Sequence, residues 1–309
     1  MASGSTRAVY AALFGNLGIA VTKFIAAAMT GSASMWAESY HSTSDTVNQI
    51  LLLLGIKISK KPATDLHQFG FGKSQFFWSF IVATMIFGIS GILSLEQGFS
   101  SLLGTGHHFE NPVINYIVLA IAFGFEANAL RIALIQFKKP IKERGESILP
   151  STLYNEFKNS KDTSILTVVV EDTAALLGIG IAAVGIFLTD ITENTVYDSI
   201  SSIIIGILLM SFAFFLAKEN RGLLIGESIS PEQRKQIVDI VTAIPEVNKV
   251  VTIKTMHLSP TVIIVGIEVN LIDGLDTDKI EIITDVIEHK IMKILPNSNK
   301  EYVFVEIER

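Results

Sequence analysis

Residues 37–49 read AESYHSTSDTVNQ. Glu38, His41, Asp45 and Asn48 stand 3, 4 and 3 residues apart, so a helix places them on one face. The run that follows, ILLLLGI at 50–56, is wholly apolar. On a water-facing helix those four polar groups would need no explanation. Inside a bilayer each ionisable group costs about 2.5 kcal/mol or more, so it must be paired or functional. The rest of the chain decides between the two.

The 309 residues are 49% hydrophobic and only 17% charged, a balance too apolar for an ordinary soluble enzyme. A spanning helix needs roughly 20 mostly apolar residues. Six segments meet that need: 8–29, 34–56, 76–99, 113–136, 164–188 and 199–217. Residues 229–309 hold 9 Lys+Arg and 13 Asp+Glu with no spanning run. The expected fold is therefore a six-helix transmembrane bundle, residues 1–220, followed by a C-terminal α+β domain, residues 221–309.

Loop charge sets an expected orientation. Lys57, Lys60, Lys61 and Lys73 flank one connection, and Lys138, Lys139, Lys142, Arg144, Lys158 and Lys161 fill another. The alternate loops near 30–33, 100–112 and 189–198 carry no Lys or Arg. The positive-inside rule then puts both termini in the cytoplasm. With no organelle-targeting segment visible, a prokaryotic plasma membrane is expected. Lys23 and Arg131 fall within spans, where long side chains are expected to snorkel to the surface.

The tail reads αββαβ. Ser230-Pro231-Glu232-Gln233 is a capping box with Pro at the first helical position. NKVVTIKTMHL and TVIIVGIEVNLI form a hairpin around Ser259-Pro260. Apolar residues at 280, 283, 286, 287, 291 and 294 give a helical period, and EYVFVEIE a last strand. The order suggests a ferredoxin-like layer.

A second ionisable place lies in TVVVEDTAALLG, where Glu171 and Asp172 sit inside the fifth span. Asp45 lies about 18 Å below one surface and Asp172 about 12 Å above the other at 1.5 Å per residue. In a core of about 30 Å those depths coincide. Two antiparallel helices would thus offer His41, Asp45 and Asp172 to one ion, with Glu171 able to join. Imidazole and carboxylates suit Zn²⁺. The other reading of the same groups is polar contacts that hold a bundle together. Glu38, Asn48, Glu126 and Asn16 stay open between lining a route and packing. Gly88, Gly91, Gly178 and Gly185 fit close helix approach.

Taken together, these stretches resemble the cation diffusion facilitators, divalent-metal/proton antiporters. TGSASMWAESYHSTSDTVNQ is similar to the family's second span, HQFGFGKSQFFW to the start of its third, and YDSISSIIIGILLM to its sixth. The Glu171-Asp172 pair resembles the zinc transporter nine-like branch. The resemblance implies a site built from His41, Asp45 and Asp172, with Val168 at a fourth position that cannot bind metal and Glu171 as its substitute. It implies metal efflux by alternating access, Zn²⁺ as cargo with Mn²⁺, Fe²⁺ or Co²⁺ as alternatives, and protons as counter-ion. It also implies a homodimer formed through the tail and membrane helices and no cofactor; the formal net charge of −6 gives no global basic field to suggest a nucleic-acid partner. A loop site with His67 lacks its partner His, which is Phe71. Val251, Ile267, Glu306 and Glu308 stand where some relatives hold tail zinc. Histidine, with an unperturbed pKa of about 6.5, is suited to exchange protons for metal.

Competing classes fare worse. No H-E-x-x-H motif supports a membrane metallohydrolase. GFGKS at 70–74 lacks the leading Gly of a phosphate loop. His107 and His108, with Glu110, read as a solvated external loop, and His257 and His289 as packing or solvated residues. A non-transporting metal sensor or scaffold stays open because Val168 leaves the ligand set one short.

Overall fold

The computed structural model describes residues 2–104, 112–159, 162–295 and 300–308, with side chains omitted for 2–15, 86, 87, 158 and 159. His107, His108, Glu110 and Lys161 lie outside the described residues.

Helices dominate. They are α1 Ala2–Thr30, α2 Ala33–Ser59, α3 Ser74–Ile81, α4 Gly88–Leu103, α5 Pro112–Phe137, α6 Lys139–Glu143, α7 Pro150–Asn159, α8 Thr163–Thr192 and α9 Val196–Ile225. The tail adds α10 Pro231–Thr242, β1 Val247–His257, β2 Ile263–Leu271, α11 Thr277–Ile294 and β3 Val303–Glu308. A π-helical segment, Val82–Phe87, joins α3 to α4. The chain divides into two compact units. One holds Met1–Ile56, Phe77–Lys158 and Thr163–Asn220, and the other Lys57–Phe76, Asn159–Asp162 and Arg221–Arg309.

Among the described residues, four helical runs are long and apolar enough to cross a membrane: Ser74–Leu103, Pro112–Glu143, Thr163–Thr192 and Val196–Ile225. Asn16–Thr30 is a shorter apolar stretch. Helix α2 has the length, 27 residues, but Glu38, His41, Asp45 and Lys57 dilute its apolar character.

The first unit is built inside out relative to a soluble protein. Leu17, Val21, Ile25 and Met29 form an exposed stripe on α1, and Val113, Ile117, Ile121 and Phe125 another on α5. Its interior instead buries Lys23, Glu38, His41, Asp45, Asn48, Glu126, Glu171 and Asp172. Such apolar outer stripes demand an apolar surrounding. Between the polar groups lies a core rich in small residues, including Ala26, Ala37, Ala122, Ala174 and Ala182.

Glycines set the helix spacing at particular points. A Cβ on Gly91 would stand 3.1 Å from Gly206 O and 2.7 Å from Met210 Cγ, so α4 and α9 meet there backbone to backbone. Ser202 Oγ on α9 donates to Ser94 O on α4 at 2.8 Å. Gly185 on α8 leaves room for Ser201 on α9. The expected role is not seen for Gly88: among the described residues, no atom of another element lies within 4 Å of where its Cβ would stand.

Gly31, at φ 68°, ends α1 in the left-handed conformation that Gly alone adopts cheaply, and its N–H bonds Ala27 O at 2.9 Å. The chain then turns straight into α2. Asp198, in the first turn of α9, receives that turn: Ser32 Oγ donates to it at 2.9 Å, Ser34 N at 3.3 Å, and Ala33 N and Ser34 Oγ donate as well. One carboxylate from a distant helix thus satisfies donors that α2 would leave orphaned.

In the tail, β1 and β2 pair antiparallel, and β3 joins β2 in parallel through the α11 crossover. Ile263, Val265, Ile267, Val269 and Leu271 alternate inward along β2 and meet Ile237 and Val241 of α10 and Ile283, Ile287 and Ile291 of α11. The capping box forms, with Gln233 N donating to Ser230 Oγ at 3.2 Å. Val286, read as part of the apolar stripe, is instead exposed.

Candidate functional site

Helix α2 carries the polar face that its spacing predicts: Glu38, His41, Asp45 and Asn48 are all buried. His41 Nδ1 lies 3.4 Å from Asp45 Oδ1, across one turn. On α8, Glu171 and Asp172 are both buried as well. Glu171 bridges the two helices. Its Oε1 accepts from Asn48 Nδ2 at 3.2 Å, and its carboxyl shares a hydrogen bond with Asp45. Asp172 Oδ2 is buried and has no hydrogen-bond partner among the described residues. Glu126 of α5, also buried, lies close enough to Asp45, Glu171 and Asp172 to interact electrostatically with each.

The structure thus brings Asp45, Asn48 and Glu171 into direct contact and sets Asp172 and Glu126 nearby. It does not gather them about one point. Among the described residues, no group of three or more His, Asp or Glu stands close enough to hold a metal ion. Asn48 and Asp45 engage the carboxyl of Glu171 instead. Val168, one turn before Asp172, packs against the apolar core.

One sequence expectation is corrected here. Lys23 does not snorkel. It is fully buried, 2.8 Å from Glu38 Oε2 and 2.8 Å from Ser42 Oγ. Glu38 lies within reach and supplies the counter-charge without which a buried ammonium would be strongly penalised. Lys23 and Asp198 are the residues that sequence reasoning missed. A single Lys in the middle of an apolar run was the available signal for the first; Asp198 offered only its place at a helix start.

The other candidates belong to the second unit. The His67 ring lies 4.4 Å from that of Phe71. His257 is packed in the tail, with its backbone N–H bonded to Glu227 O at 3.0 Å, and His289 is exposed. Glu308 pairs with Lys249 at 3.5 Å.

An apolar-surfaced helical unit whose described interior holds six carboxylates, a lysine and a histidine is that of a polytopic membrane protein handling charge. The chain belongs to the cation efflux family: the family described as the cation efflux transmembrane domain matches residues 9–225. Members of this family are transporters, not enzymes. The chain is 36% identical over 236 residues to the mouse (Mus musculus) protein named proton-coupled zinc antiporter SLC30A9, mitochondrial, covering 76% of this chain and 41% of that protein. It is 31% identical over 234 residues to metal tolerance protein C4 of Arabidopsis thaliana, covering 76% of this chain and 50% of that protein. It is 25% identical over 297 residues to the cation-efflux pump FieF of Citrobacter koseri, covering 96% of this chain and 90% of that one. These matches place the chain with the zinc transporter nine-like branch. The chain spans about two fifths of the length of the SLC30A9 relatives it matches. The expected prokaryotic plasma membrane, with cytoplasmic termini, is overturned by those animal relatives, which are named as mitochondrial.

Proposed function

We propose that this chain is a proton-coupled divalent-cation efflux transporter carrying Zn²⁺ by alternating access. The observation that carries the reading is the Asp45–Glu171–Asn48 contact between α2 and α8, with His41 and Asp172 beside it. His41 and Asp45 would bind from α2, and Asp172 from α8. Glu171 would supply the ligand that Val168 cannot. In the described conformation Glu171 is engaged by Asn48 and Asp45; to bind, it must leave those partners. Binding would release protons from the ligand groups, because a metal ligand must be deprotonated. On the opposite side protons compete for the same atoms and release the ion. Two conformations of similar energy are needed for this, with the cation biasing one.

The relatives' names support zinc and proton coupling, and the donor set of imidazole and carboxylate suits zinc. The cation is cargo, so the reading requires no resident cofactor. Six spans, a ferredoxin-like tail and a homodimer formed through the tail and membrane helices complete it. Mn²⁺, Fe²⁺ or Co²⁺ are the alternative cargoes. Val168, which leaves the ligand set short, favours a second reading as a non-transporting metal sensor or scaffold.

Proteoliposome uptake separates these readings. Wild-type chain under an imposed pH gradient is expected to accumulate Zn²⁺ over the other divalent metals, and Asp45→Ala to abolish uptake. A chain that binds zinc without moving it is a sensor. Asp45→Ala uptake at the wild-type rate would remove the proposed site.

A further inference from the structure

Three helices of the first unit close on an ion pair that the ligand set above leaves unused. Lys23 on α1 and Glu38 on α2 are wholly excluded from solvent and 2.8 Å apart. Ser42 Oγ, one turn along α2, accepts from the same ammonium at 2.8 Å. The third wall is backbone. A Cβ on Gly178 of α8 would stand 2.2 Å from Glu38 Oε1, so the carboxylate rests on bare main chain. Oε1 itself is buried and has no hydrogen-bond partner among the described residues. Glu38 therefore has one oxygen on a cation and one open.

A buried ion pair is a poor choice for mere adhesion, because apolar side chains of similar volume hold helices together as well or better. Its chemistry fits another use. Glu38 shares the polar face of α2 with His41 and Asp45, about 10 Å along the axis from Asp45 at 1.5 Å per residue. A dication leaving the His41–Asp45 level toward the start of α2 would come to this carboxylate next. An unopposed buried carboxylate would hold it there. The ammonium is a cation already fixed at that spot.

We propose that Lys23 is a tethered competitor for the transported dication at Glu38. Glu38 is a second, transient cation site, and Lys23 clears it by re-forming the ion pair. The idea rests on the transport reading above. Nothing covalent changes: one cation replaces another on the same carboxylate.

The test counts zinc bound by the purified full-length chain in detergent, with zinc alone as the probe, and follows zinc flux in liposomes. Lys23→Met is expected to bind about one more zinc per chain than wild type, because a freed carboxylate is a ligand. Its turnover is expected to fall about tenfold with no rise in KM, the mark of an ion held too long. Lys23→Met with Glu38→Gln should lose the extra zinc and regain turnover. Lys23→Gln, which keeps a hydrogen-bonding group beside Ser42, gives the same comparison if the Met variant does not fold. Wild type that binds no zinc sinks the transport reading and this inference with it. Wild type that binds zinc, with neither Lys23 variant gaining a Glu38-dependent equivalent, sinks the competitor alone.

Discussion

Gly178 has no side chain where Glu38 takes the space. Its place in a helical pattern says only that something comes close; the structure shows that the close thing is a carboxylate oxygen. Gly178→Ala must push Glu38 off its position, and overpacking of this kind costs about 1–3 kcal/mol. A lower thermal midpoint in detergent is the expected outcome, while Gly88→Ala, where the space is open, should leave the midpoint unmoved or slightly raised. The same contrast shows how far sequence reaches at this scale. His41, Asp45, Glu171 and Asp172 were legible as buried polar groups because ionisable side chains in an apolar run advertise themselves, and Asn48 because it shares their helical spacing. Lys23 was misread because a four-carbon stem points either toward a surface or toward a partner, and only packing decides which.

Between helices, Asp198 gathers the start of α2, the helix that carries most of the polar face. Replacing a capping acceptor by Ala costs about 0.5–2 kcal/mol. Asp198→Ala should therefore lower the thermal midpoint and speed hydrogen exchange at residues 33–36, with Asp198→Asn milder because its amide oxygen still accepts. In the tail, Lys300 Nζ clips Asp285 Oδ1 at 2.7 Å and Glu288 Oε2 at 3.0 Å. The Lys300 ammonium holds the Asp285 carboxyl below its usual range, and Lys300 is pushed up to about 12 by those hydrogen bonds. Asp285's share of stability is present above the ordinary carboxylate range and lost as pH falls through its depressed value. Lys300's share is present below its ordinary range and lost as pH rises through about 12. Between those limits the clip holds. Amide protection around Asp285 and Glu288 in α11, measured against intrinsic exchange, should fall as pH drops through the depressed Asp285 value, and that fall should vanish in Lys300→Ala; salt should weaken the clip because both groups are exposed. The tail's α10, β1, β2, α11 and β3 were legible from capping residues and from a period of 2 or 3.6. The π-helical segment at Val82–Phe87 was not, since a widened turn leaves the apolar composition of a span unchanged.

Across the first unit, polarity is inverted: isoleucines and phenylalanines face out and carboxylates face in, whereas the tail keeps an ordinary apolar core. That inversion follows from one solvent change, since lipid rewards apolar surface and penalises every unpaired charge. It leaves the interior of the first unit as the place where the ionisable side chains of the helices collect. Loop charge suggested which loops share a side but could not name the membrane, because a bias of Lys and Arg between loops is the same in any bilayer. The central claim is that α2 and α8 jointly ligate the cargo through His41, Asp45, Asp172 and Glu171. X-ray absorption at the zinc edge on loaded full-length protein tests it most directly. The expected shell is one imidazole nitrogen with carboxylate oxygens at about 2.0–2.2 Å. The nitrogen should be lost in His41→Ala, and one oxygen lost from the shell in Asp172→Asn. A zinc shell identical in wild type, His41→Ala and Asp172→Asn would contradict the account.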